Sequence, residues 1–80
     1  MSLYTDAMAA GMGDPAHYVQ EFRRRLRVHH LSFVLVAKQM GMEPTQLSRY
    51  MTGRAAPSME IMLRMEDALD QILYRKHERP

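Results

Sequence analysis

Between Leu31 and Ser58, helix starts and helix stops follow one another at short range. Ser32 is a good N-cap for a helix over Phe33–Met40, and Gly41 supplies the left-handed residue that ends it. Glu43-Pro44-Thr45 then opens another helix, with proline in the first turn and an acid beside the positive end of the helix dipole. That helix is predicted to run to Met51 or Thr52, where Gly53 ends it. Arg54-Ala55-Ala56 lead through a loop to Pro57-Ser58. Two short helices joined by a tight turn have the geometry of a helix-turn-helix.

Longer helices flank this unit. Asp14 caps and Pro15 opens the first, whose apolar stripe is Val19, Phe22 and Leu26. Arg24 and Arg27 point away from that stripe, Arg23 and Arg25 flank it, and the helix ends near His29-His30. Ser58 caps a last helix over 59–76, with Glu60 in its first turn and basic residues at its end. Its apolar positions include Ile61, Met62, Met65, Leu69, Ile72 and Leu73. No stretch alternates with period two for long enough to form a strand. The fold class is therefore all-α, with four helices, or five if the last one breaks near Leu69-Asp70. Residues 1–13 contain two glycines and no sustained periodicity, and read as a flexible arm with one helical turn around Thr5–Ala10. The arm holds no Lys or Arg and is a poor candidate for tracking phosphates.

Composition narrows the function. Eighty residues make one small domain, 14–80 behind the arm, and a chain of this size buries only about 60% of its unfolded surface. Without cysteine there are no disulfides or thiolate metal sites, which leaves efficient helix packing or oligomerisation as the route to stability. Most of the nine methionines are expected to fill the core. No apolar run approaches ~20 residues and the N-terminus lacks a signal-like core, so a cytoplasmic location is expected, with no membrane partner. His17, His29, His30 and His77 form no i, i+4 metal pair, and the serines lack a nucleophile-elbow context. The expectation is a protein that is not an enzyme and uses no metal or cofactor.

The turn imposes its own requirements. Ala37 must be small where the following helix crosses, and Gly41 must permit positive φ. Val36, Met40, Met42, Leu47 and Tyr50 must be apolar to lock the two helices together. The segment VAKQMGMEPTQLSRYMTG meets these needs and resembles the core motif of the lambda-repressor-like, Xre/Cro-type helix-turn-helix proteins. Similarity continues through Gly53-Arg54, Pro57-Ser58, Glu60, Leu63-Arg64 and Ala68-Leu69, and begins at Leu31-Ser32. It covers about half the chain strongly, and the Phe22…Leu26 helix extends it more weakly.

The resemblance implies a compact four- to five-helix domain (motif 33–52) that binds a double-stranded operator, usually as a homodimer. The third helix would lie in the major groove. Carried over, the base readers are Thr45, Gln46 and Arg49, whose side chains suit thymine or a hydroxyl contact, adenine and guanine respectively. Phosphate contacts fall to Ser48, Thr52, the Gly53 backbone N–H, Arg54 and Lys38. Charge agrees with this: residues 17–54 carry seven basic groups against Glu21 and Glu43, whereas 55–80 carry four against five acids.

The chain also departs from the family pattern. Phe33 stands where glutamine commonly bonds a phosphate, and Val34 and Leu35 replace residues that are usually polar. This apolar run implies burial on more than one side, either beneath the arm (Leu3, Tyr4, Met8) or against a partner. Asp70 replaces a common glycine, so Leu69, Ile72 and Leu73 either close the core or pair with a second subunit. Pro44 occupies a position where relatives often place a polar base reader. Two functions follow from the sequence. One is a sequence-specific transcriptional regulator, a small bacterial or phage repressor that blocks or recruits RNA polymerase. The other is a protein-interaction module on the same fold, with weak or no DNA binding.

Overall fold

A computed structural model describes residues 13–78, with side chains through Arg75. Apart from Gly13, the arm lies outside the described residues, as do its Leu3, Tyr4 and Met8. Four helices are present and no strand occurs among the described residues: α1 Pro15–Val28, α2 Phe33–Met40, α3 Pro44–Met51 and α4 Met59–Glu78.

Each boundary has a local cause. Asp14 is extended, and its carboxylate accepts from the backbone N–H groups of Ala16 and His17 at 3.1 and 3.5 Å, two donors that the first turn cannot satisfy itself. Ser32 Oγ accepts from Val34 N at 3.1 Å, and Ser58 Oγ from Ile61 N at 3.2 Å. Glu43 is extended at the N-cap of α3 but makes no side-chain cap, so Pro44, which has no N–H to satisfy, opens that helix. His29 caps α1, and His30 adopts φ 56, a left-handed position that glycine usually occupies. The reversal lets Leu31 N donate to Leu26 O at 2.8 Å and closes the helix end. α4 is one uninterrupted rod through Leu69-Asp70 that continues two residues past the expected end at 76.

The core draws on every helix: Tyr18, Val19, Phe22 and Leu26 from α1, Val36 and Ala37 from α2, Leu47 and Met51 from α3, and Met62, Met65, Ala68, Leu69 and Ile72 from α4. α2 packs on both α3 and α4, and α1 packs on α3. Three buried methionines and the half-buried Met40 and Met42 fill gaps, whereas Met59 is exposed. Leu69 and Ile72 are buried inside the protomer and Leu73 packs against the same core, so their stripe closes the core and offers no docking surface. Within the described residues the Phe33–Val36 run is covered on one side only. Val36 is buried and Phe33 half-buried, but Val34 and Leu35 are 46% and 42% exposed.

A charge sits within this core. Glu66, 1% exposed, receives a two-pronged ion pair from Arg25, Nη1 to Oε2 and Nη2 to Oε1. The Tyr18 hydroxyl donates to Glu66 Oε1 at 2.8 Å and lies 3.3 Å from Met62 O. The Arg25 guanidinium also lies 5.6 Å from the Phe22 ring centroid, within cation–π range. These contacts tie α1 to α4 across the interior. Burial pushes the Tyr18 hydroxyl well above its usual range; Arg25 opposes the shift and Asp70 adds to it.

Two outcomes are expected. Glu66→Ala strands Arg25 and should lower unfolding free energy in urea by about 3–5 kcal/mol, while replacing Arg25 and Glu66 together by methionine should recover most of that loss. A single-mutant loss below ~1 kcal/mol would contradict the assignment. Tyr18 is neutral in the fold at pH values where an unfolded tyrosine ionises, so its contribution is complete below pH ~10 and declines as pH rises further. Thermal melts from pH 8 to 11 should show a decline that Tyr18→Phe makes shallower.

Candidate nucleic-acid interface

The turn between α2 and α3 is fixed by a few contacts. Gly41, at φ 70 and ψ 30, is left-handed, and its N–H points back at the carbonyls of Ala37 and Lys38. Met42 N donates to Ala37 O at 2.9 Å. Ala37, Val36 and Leu47 have no exposed surface, and Tyr50 packs partly against them. The unit is clamped from behind by α4. Arg64 donates to Met40 O at 2.8 Å, Gln39 donates to Gln71 at 2.6 Å, and Arg75 donates to Gln39 at 2.9 Å.

With Leu47 and Met51 turned inward, α3 leaves Thr45, Gln46 and Arg49 exposed and Ser48 half-buried. Thr45, Ser48, Arg49 and Thr52 recur at the spacing of one helical face. Together with Phe33, Pro44 and Arg54 they line an open groove. The structure thus brings together two of the three expected base readers, Thr45 and Arg49, with three of the expected phosphate ligands. Gln46 is exposed beside this groove without lining it, and Lys38 is exposed on α2 away from it. Gly53 lines a different depression, between α1 and the loop before α4.

Hydrogen bonding sorts the phosphate candidates further. Thr52 Oγ1 donates to Ser48 O at 2.8 Å, and Gly53 N donates to Tyr50 O at 3.3 Å. Both donors are engaged in ending α3. The Arg54 backbone N–H likewise closes onto Arg49 O at 2.9 Å, but its side chain is exposed.

A second groove adjoins the first and shares Phe33, Ser48 and Thr52 with it. Its opposite wall is α1, through Arg23, Leu26 and Arg27. The four arginines of α1 therefore have separate fates. Arg24 pairs with Glu21 at 3.0 Å and Arg25 turns inward to Glu66, while Arg23 and Arg27 face the groove. Arg23 is steadied by Met51 O at 3.5 Å. Neither Arg23 nor Arg27 is among the phosphate contacts expected from the sequence, although their i, i+4 spacing puts them on one helix face. No cluster of metal-ligating side chains occurs among the described residues, and none of their helices is long and apolar enough to cross a membrane.

A family model described as helix-turn-helix matches residues 24–72, more than half of the chain, and the chain belongs to this lambda-repressor/Xre-like family. The family is one of DNA-binding regulatory domains rather than enzymes, and double-stranded DNA is the ligand that it implies. No curated protein and no solved structure matches the chain.

A Cβ on Gly41 would meet no atom within 4 Å, so substitution there costs backbone strain alone. Gly41→Ala is expected to lower stability by about 1–2 kcal/mol, and Gly41→Asn by less, because asparagine tolerates the left-handed region. Chemical denaturation of both variants checks the order.

Proposed function

We propose that this domain is a small bacterial or phage repressor that binds a palindromic operator as a homodimer and blocks RNA polymerase. The observation that carries the reading is the open groove in which Thr45, Ser48 and Arg49 of α3 stand beside Arg54. α3 would enter the major groove. Arg49 would pair bidentately with guanine, Gln46 would reach an adenine edge from its exposed position beside the groove, and Thr45 would meet a thymine methyl or give a hydroxyl. Arg54, Arg23 and Arg27 would hold phosphates, with Lys38 at the periphery and Ser48 contributing its hydroxyl. Thr52 and Gly53 would shape the α3 end, their donors already engaged there. Two protomers would meet half-sites one helical turn apart, ~10 base pairs. Such a protein would work in the cytoplasm, on the nucleoid.

A second reading, a protein-interaction module, is favoured by one observation. Val28, Val34 and Leu35 are 58%, 46% and 42% exposed where α1 ends and α2 begins. Exposed apolar side chains of this kind suit a protein partner, whether a second subunit or RNA polymerase.

Selection from a randomised duplex pool, followed by anisotropy titration at two salt concentrations, tests the first reading. A palindromic site should be enriched, and affinity should fall steeply with salt. Arg49→Ala should cost about 1–3 kcal/mol and relax one base position, whereas Arg54→Ala should weaken all sequences alike and reduce the salt slope by about one. Weak binding with no enriched sequence would overturn this reading in favour of the second.

A further inference from the structure

Phe33 and Pro44 are the first residues of α2 and α3, and both are half-buried in the wall of the groove that carries Thr45 and Arg49. Neither side chain can donate or accept a hydrogen bond, and Pro44 also has no backbone N–H. The other residues lining that groove all carry a hydroxyl or a guanidinium group: Thr45, Ser48, Thr52, Arg49 and Arg54. Phe33 is also the ridge between this groove and the one walled by Arg23 and Arg27. An apolar spot is therefore enclosed on both sides by cations that would hold the phosphates of a duplex.

On the edges of base pairs in the major groove, the one projecting apolar group is the thymine 5-methyl. We propose that Phe33 and Pro44 form a receptor for a thymine methyl, beside the base that Arg49 reads, so that they determine specificity at a position that no hydrogen bond reads. The proposal rests on the DNA-binding reading above and deepens it. It gives a role to both departures from the family pattern at once: the polar contacts usually made from these positions are replaced by a contact with a methyl group. Arg49 and the methyl receptor line the same groove, so the thymine should lie next to the guanine within each half-site.

The test uses the full chain and the duplex selected above. Each thymine is replaced singly by deoxyuridine, which removes the methyl and leaves the hydrogen-bonding pattern intact. One position per half-site should weaken binding by about fourfold, the effect of one lost methyl contact. Phe33→Gln should bind thymine and uracil duplexes alike at that position, while Phe33→Leu should keep the preference. Pro44→Ala, at a half-buried helix start outside the core, should reduce the ratio and serves as the second variant if Phe33→Gln fails to fold. A wild-type protein that binds its site but is indifferent to uracil at every thymine overturns the proposal. So does a uracil effect that survives both Phe33→Gln and Pro44→Ala, or a selected site with no thymine beside the guanine. Failure of the wild-type protein to select any duplex overturns the DNA-binding reading itself, a different result that takes the methyl receptor with it.

Discussion

A carboxylate taken out of water must find both countercharge and hydrogen bonds, and Glu66 finds them on α1 in Arg25 and Tyr18. These two residues stand seven apart, two turns along one helix face, so the network fixes the rotation and register of α1 against α4. With Arg25 inward, Arg23 and Arg27 are carried together to another face, the one that meets α2 and α3. The cationic wall of the second groove thus depends on a buried pair that touches no part of it. Replacing the pair with apolar residues could leave the fold stable, so its value lies in orientation as much as in energy.

Local signals in the sequence were strong enough to mark nearly every helix boundary. Ser32 and Gly41 bracket α2 as read, Pro44 opens α3, and Ser58 caps α4. These features act within a few residues of themselves, so neighbouring sequence is sufficient to see them. Glu66 is different. Its position on a helix of mixed charges resembles any solvated acid, and only a contact 41 residues away reveals its partner. The same holds for Arg23 and Arg27, whose orientation follows from Arg25. The sequence left two roles open for the Leu69, Ile72 and Leu73 stripe, and packing decided for the core. His30 was legible as an end, but its left-handed backbone was not, since the residue there is not glycine.

The polar groups of the proposed recognition surface are not all open to a ligand. Thr52 and Gly53, obvious phosphate donors by position, close the end of α3 instead. Free donors are concentrated in guanidinium groups on three separate segments, α1, α3 and the loop after it. Attraction of that kind is long-ranged and strongly screened by salt. Discrimination between sequences then falls to the few groups that reach base edges.

The clamp of α4 on α2, through Arg64, Gln39, Gln71 and Arg75, has a kinetic consequence. These contacts tie α2 to α4, and α3 is held to α2 through the turn at Gly41 and the packing of Leu47. On the proposed DNA-binding reading, a surface held in this way would need little ordering on association. On that reading the field of the arginines would steer the encounter, and the side chains of α3 would contribute most to the lifetime of the complex. Arg49 would serve in both, whereas Arg23, Arg27 and Arg54 stand off the α3 helix, so the field that steers arrival could change in evolution with the α3 side chains left as they are.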